Sequence, residues 1–207
     1  MNNPKGSPLL IATKNKGKIK ELQDLLKDTR IELLIPAQIN LDLDVVEDGQ
    51  TYAENAAKKA LAFAQASGLI SLADDSGLEV DALDGAPGLY SARYGSTNGQ
   101  KLSDAERRAI LIHNLQGKPR PWTARFHATI AVAVPNGNLH LAEGFCEGEI
   151  IPEERGTGGF GYDPIFLLSE LGKTMAELSM EEKNRLSHRA RAVMNTKPIL
   201  NQIFKST

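Results

Sequence analysis

The sequence predicts an α/β fold built on a mixed β-sheet with flanking helices. Short apolar runs alternate with segments of helical periodicity through the first half of the chain, the pattern of strand–helix units. Two alternating segments around Pro135-Asn136-Gly137-Asn138 read as a hairpin, which pairs antiparallel. No repeat, low-complexity stretch or linker divides the 207 residues, so the chain reads as one domain.

The elements follow in order. Residues 9–12 form an apolar run that reads as a buried strand. A lysine-rich turn follows, and Ile19, Leu22, Leu25 and Leu26 then recur at helical spacing. Residues 31–35 read as a second strand. A strong helix spans 51–66, where Thr51 and Glu54 have capping-box spacing and alanines fill the body. Residues 69–73 read as a strand that ends at Asp74-Asp75-Ser76-Gly77, with 78–80 as another short strand. Segment 84–98, rich in Gly, Pro, Ser and Asn, is an ordered loop. Ser103 and Glu106 open a helix over 103–115. Residues 125–134 and 139–147 form the hairpin. A glycine-rich loop over 156–161 ends in Tyr162-Asp163-Pro164, and 174–178 is a short helix. Ser179 and Glu182 open the last helical region, which carries Leu186, Ala190, Val193 and Met194 and stops before Pro198.

Composition bounds the function. At 41% hydrophobic and 24% charged the chain has an ordinary core and surface, and its net charge of -2 argues against a nucleic-acid backbone as main partner. An anionic small molecule remains compatible, since a few lysines hold a triphosphate on an acidic protein. The single cysteine, Cys146, excludes an intramolecular disulfide and reads as a small buried hydrophobe. Residues 1–7 read as a flexible polar tail without a signal-peptide core, and no apolar run is long enough for a membrane span. A cytoplasmic protein is expected.

Five constellations carry chemistry. Thr13-Lys14-Asn15-Lys16-Gly17-Lys18 lies at a strand-to-helix turn, where helix N–H groups and lysine charges suit phosphate, although the P-loop pattern is absent. Asp74-Asp75 at the end of a strand is costly unless something cationic neutralises it, because neighbouring carboxylates repel and raise one pKa. Mg²⁺ suits such a site, and one carboxylate there can take a proton from an attacking water. Glu47 precedes the 51–66 helix and offers a third carboxylate. Asn55 and Lys59 share a face of that helix, while Glu54 with Lys59 reads as a surface ion pair. In the 156–161 loop the glycines allow close backbone approach and Phe160 offers a stacking face. Near the end of the chain, Lys183, Ser187, His188 and Arg189 offer donors to a carbonyl-rich ligand.

Together these motifs, with Tyr52-Ala53-Glu54-Asn55-Ala56, Gly85-Ala86-Pro87-Gly88 and Tyr90-Ser91-Ala92-Arg93-Tyr94, closely resemble the inosine/xanthosine triphosphate pyrophosphatase family. The resemblance runs from Ile11 to Arg191 in the family's order. It implies an elongated two-lobed α/β fold with a long mixed sheet and an active-site cleft between lobes, a homodimer, and a bound Mg²⁺. It implies hydrolysis of ITP, XTP and dITP to the monophosphate and pyrophosphate. Thr13, Lys14, Asn15, Lys16, Gly17 and Lys18 match its triphosphate segment, and Ser76 a substrate contact. Asp75 matches the proton acceptor and metal ligand, with Glu47 in the metal site. Phe160, Gly161, Tyr162, Asp163, Lys183, His188 and Arg189 match its base-recognition set. Whether Asp75 acts as general base or only as metal ligand stays open. The alternative is a Maf-like pyrophosphatase acting on pyrimidine or modified nucleotides.

Overall fold

The computed structural model describes residues 8–97, 100–135 and 137–205. The expected tail at 1–7, Asn98 of the 84–98 loop and Asn136 of the hairpin turn lie outside the described residues. The strands are β1 (Leu9–Ile11), β2 (Leu33–Leu34), β3 (Ile70–Val80), β4 (Trp122–Ala133), β5 (Leu139–Ile150), β6 (Phe166–Leu168) and β7 (Lys173–Thr174). They form one seven-stranded sheet in the order β2-β1-β3-β4-β5-β6-β7. β1 pairs parallel with β2 and β3, while β6 pairs antiparallel with β5 and β7, so the sheet is mixed as the sequence predicts. The helices are α1 (Lys16–Leu26), α2 (Tyr52–Ser67), α3 (Asp104–Leu115), α4 (Met180–Leu186) and α5 (His188–Lys205).

Two compact units make up the chain. The first comprises Met1–Asp75, Ala128–Gly144 and Arg189–Thr207, and the second Ser76–His127 and Phe145–His188. In the first unit, strand alternation sorts the core into two faces. Leu9 and Ile11 of β1, Ile70 and Leu72 of β3, and Ile130 and Val132 of β4 pack with α1 and α5. Leu10, Ala12, Ala73, Ala131 and Ala133 pack with Ala56, Ala60, Phe63 and Ala64 of α2. The small residues on that face let α2 lie close to the strands. In the second unit Leu78, Val80, Leu111, Leu115, Trp122, Phe126, Ile165 and Phe166 lead a separate core.

The helix ends follow their local chemistry. Asn15 caps α1, its side chain accepting from Gly17 N–H and Lys18 N–H at 2.9 and 3.1 Å. Thr51 Oγ1 accepts from Glu54 N–H at 3.1 Å, while the Glu54 carboxylate closes on Gln50 N–H at 2.7 Å rather than on Thr51. Gly68 ends α2 in the left-handed region at φ 70°.

Two expectations change. The strand does not stop at Asp74 but continues as β3 to Val80, because cations on both faces compensate the two carboxylates. The last helix does not stop at Pro198. It breaks earlier, at Ser187, and α5 then runs through Pro198 to Lys205. Burial of Leu200, with Ile203 and Phe204 packed on the same core, offsets the one backbone hydrogen bond that proline cannot donate.

At Gly148, β5 lies close against β6. A Cβ there would lie 2.5 Å from the Leu167 carbonyl oxygen and 2.7 Å from the Phe166 ring. Gly148→Ala should therefore lower stability by about 1–3 kcal/mol. An unchanged urea midpoint for that variant would show that the strands relax freely there.

Candidate active site

The first unit gathers the acidic and basic residues around the middle of β3. Adjacent residues of a strand point to opposite faces, so Asp74 looks toward α1 and α5 while Asp75 looks toward α2. Asp74 is fully buried, and its Oδ2 accepts from Arg189 Nε at 2.6 Å. Arg189 also donates through Nη1 to Glu21 of α1. Lys18, one turn before Glu21, brings its Nζ to 3.7 Å from Asp74 Oδ2 and 3.3 Å from the Asp74 carbonyl oxygen. Burial opposes charge on Asp74, but the Arg189 guanidinium and then the Lys18 ammonium overcome it and hold the carboxyl well below the usual carboxylate range. Burial pushes the Lys18 ammonium down, helped by the Lys59 and Arg189 charges, with Asp74 opposing.

On the other face Lys59 of α2 collects three oxygens. Its Nζ lies 2.9 Å from Glu47 Oε1, 3.1 Å from Asp75 Oδ1 and 2.9 Å from the Asp74 carbonyl oxygen. Burial works against this ammonium, yet Asp75 and Glu47 outweigh it and raise its pKa. Asp75 is pushed up by burial, with Glu47 adding to the shift and Lys59 opposing it. The sequence expectation of repulsion between Asp74 and Asp75 gives way to a different cause, since the strand separates their side chains onto opposite faces. Asn55, one turn before Lys59, is buried and its Oδ1 accepts from Gly49 N–H at 2.8 Å. A Cβ on Gly49 would lie 2.7 Å from that Oδ1, so the glycine lets the loop carrying Glu47 come down on α2.

The predicted phosphate segment is only partly committed. Thr13 Oγ1 accepts from Asn15 N–H, and Asn15 spends its side chain on the cap of α1. Lys14 pairs with Asp42 and Asp44 at 2.6 and 2.7 Å in an exposed contact. Lys16 is exposed, Gly17 is half-buried, and Lys18 reaches inward to Asp74.

The second unit holds Ser76 and most of the predicted base-recognition residues. Ser76 follows Asp75 in β3 and is half-buried. Lys183 is buried, with Nζ 2.7 Å from Asp163 Oδ2 and 5.5 Å from the centre of the Phe160 ring. Asp163 Oδ2 also accepts from Phe160 N–H at 2.9 Å. Gly159, at φ 73°, leaves room for this carboxylate, since a Cβ there would overlap it at 1.9 Å. His188 lies flat on Phe126, with ring centres 4.7 Å apart.

Two residues of the predicted base set make buried contacts within the protein. Tyr162 is buried and donates its hydroxyl to the Ser91 carbonyl at 2.9 Å, which makes it a post for the loop. Arg189 is 2% exposed, and its guanidinium bonds Asp74 and Glu21. Lys59, read as a surface ion-pair partner of Glu54, belongs to the polar cluster. Its spacing of four from Asn55 was the available signal. Glu21 carried a weaker one, three residues after Lys18 on α1.

A cation fits this cluster. Glu47 and Asp75 already converge on one ammonium, and on the opposite face of β3 Asp74 Oδ1 is buried with no hydrogen-bond partner among the described residues. No group of three or more His, Cys, Asp or Glu among the described residues forms a metal cage. Mg²⁺ in general uses one or two carboxylates and keeps waters or substrate phosphates for the rest.

A mixed α/β sheet with a cationic strand-to-helix turn and a carboxylate pair compensated by buried cations defines a class suited to anionic, phosphate-bearing small molecules. The chain belongs to the Ham1 family, whose model matches residues 9–199. A dITP/XTP pyrophosphatase of Desulforamulus reducens is 50% identical over 197 residues, covering 95% of this chain and 96% of its own. A protein of the same name from Listeria monocytogenes is 46% identical over 200 residues, covering 96% of this chain and 97% of its own. A solved HAM1 protein from Coxiella burnetii superposes with a TM-score of 0.84 at 38% identity, over 95% of this chain and 99% of that one.

Replacing Arg189 takes the guanidinium away from two buried carboxylates, Asp74 and Glu21. Arg189→Ala should cost about 3–5 kcal/mol of stability. A variant that melts like the parent and changes only its choice of base would restore the base-donor role.

Proposed function

We propose that this chain hydrolyses non-standard purine nucleoside triphosphates, dITP, XTP and ITP, to the nucleoside monophosphate and pyrophosphate in the presence of Mg²⁺. The observation that carries the reading is the Glu47–Lys59–Asp75 cluster beside the buried Asp74. The names of the relatives give two of these substrates, dITP and XTP.

In this reading Lys18, with Lys14 and Lys16 on the same turn, neutralises the triphosphate. Thr13, Asn15 and Gly17 shape that turn. Asp75, raised by burial, accepts the proton of the water that attacks the α-phosphorus. Lys59 orients the Asp75 carboxylate and keeps Glu47 beside it. Arg189 keeps Asp74 ionised and fixes the strand that carries Asp75. Mg²⁺ held by Glu47 and Asp75 would supply the charge neutralisation that triphosphate hydrolysis needs.

The second unit reads the base. Phe160 supplies a stacking face, and the Lys183 ammonium beside Asp163 supplies a donor for the C6 carbonyl of hypoxanthine or xanthine. His188 adds a second donor, and Ser76 contacts the substrate. Adenine carries an amino group at C6 and leaves such donors unpaired, at about 1–3 kcal/mol each. The reading includes a homodimer and a cytoplasmic location. Among the described residues no helix is long and apolar enough to cross a membrane.

Pyrophosphate release from dITP, XTP, ITP, GTP, ATP, dTTP and UTP, with and without EDTA, tests the reaction. Release confined to dITP, XTP and ITP, and lost with EDTA, is the expected result. Preference for dTTP or UTP would move the chain to Maf-like chemistry. Asp75→Asn should remove nearly all turnover, by about 10²-fold or more. Activity within a few-fold of the parent would remove Asp75 from the reaction.

A further inference from the structure

Helix α3 contributes no residue to either set described above, yet its first turns hold the glycine-rich loop. Asp104 Oδ2 accepts from Gly161 N–H at 2.6 Å, and Arg108 Nη1 donates to the Gly161 carbonyl oxygen at 2.7 Å. The two side chains stand four residues apart on one helix face and grip the peptide groups on either side of a single residue. Each is itself braced. Arg108 is forked onto Glu154 through Nε and Nη2, both at 2.8 Å. The second oxygen of Asp104 pairs with Arg107, which also donates to the Leu102 carbonyl. Arg107 and Arg108 are both largely buried, while the side chains of their partners Asp104 and Glu154 are 43% and 47% exposed.

Gly161 is where such a grip has most effect. Its φ of 61° lies in the left-handed region, and it sits between Phe160 and Asp163. Those two close on each other through Phe160 N–H to Asp163 Oδ2 at 2.9 Å and Asp163 N–H to the Phe160 carbonyl at 3.2 Å. Turning the Gly161 peptide would therefore swing the Phe160 ring and the Asp163–Lys183 pair together.

We propose that Asp104 and Arg108 are positioning residues for base recognition, clamping the Gly161 peptide so that Phe160 and Lys183 meet a 6-oxopurine in fixed register. This rests on residues 160–163 being the base-binding set. The clamp touches neither the base nor the phosphates and acts only through the loop.

The test is steady-state kinetics on the full chain with dITP and dATP, with Phe160→Ala run in parallel. Arg108→Met and Asp104→Ala should raise KM for dITP by about tenfold or more, change kcat by much less, and narrow the preference over dATP. Asp104→Asn keeps an acceptor oxygen and should return KM close to the parent value. Arg108→Lys keeps a single donor and should recover part of it. A role in folding alone would lower the melting temperature without this split between KM and kcat and without rescue by Asp104→Asn. Should Arg108→Met not fold, the Asp104→Ala and Asp104→Asn pair decides the matter. If Phe160→Ala loses dITP affinity while Asp104→Ala and Arg108→Met keep it, the clamp is overturned and the base reading stands. If Phe160→Ala keeps both affinity and preference, the base reading fails and the clamp falls with it.

Discussion

The buried contact of Arg189 with Asp74 and Glu21 is the constraint on which the first unit depends. A strand interior is a poor place for a carboxylate, since desolvation disfavours the charge by several kcal/mol and a backbone in a ladder offers few spare donors. β3 nonetheless runs unbroken through Asp74 and Asp75. It does so because a guanidinium from α5 and an ammonium from α1 arrive at Asp74 from one face, while Lys59 of α2 arrives at Asp75 from the other. The three helices are thus fixed to the strand by charge as well as by the apolar contacts on each side. Removing the cations would leave the apolar faces intact and make the middle of the strand untenable.

That arrangement gives two neighbouring residues of one type opposite electrostatics. Asp74 is held ionised by two cations, whereas Asp75 is raised by burial and by the carboxylate of Glu47. The difference arises from the period of the strand. A turn would have let both side chains face the same way and share one environment. In the strand each faces its own helices, so Asp74 is held as a charge by its cations while burial raises Asp75.

The sequence made the alternation of β1, α1 and α2, the hairpin strands and the capping residues legible, because each rests on local periodicity or a side chain bonding its own backbone. It also singled out Glu47, Lys18, Asp75, Phe160 and Lys183, whose side chains the structure places in ionic or cation–ring contacts. It failed where the deciding partner is distant. The continuity of β3 depends on Arg189, 115 residues after Asp74, and nothing around Asp74 announces it. The same distance hid the carboxylate partners of Arg189. Beside His188, and on an expected continuous helix, it read as a donor for a ligand, although the chain breaks at Ser187 and spends the guanidinium inside. Lys59 was visible as a helix-face neighbour of Asn55, but its burial depends on the Glu47 loop folding down over Gly49, a tertiary event.

Both units use the same device for a different purpose. In the first, Lys18 and Lys59 both donate to the Asp74 carbonyl as well as to carboxylates. In the second, Arg108 donates to the Gly161 carbonyl as well as to Glu154. A cation shared between a carboxylate and a backbone oxygen converts charge into backbone position, because the carboxylate fixes the cation and the cation then fixes the peptide. Lysines can do this for a strand that the sheet already holds straight. A glycine loop has no ladder to define it, and there the planar fork of arginine, with Asp104 on the neighbouring N–H, specifies the peptide orientation more tightly than a single ammonium could. The choice of residue in each unit follows from how much of the backbone geometry is already set before the ion arrives.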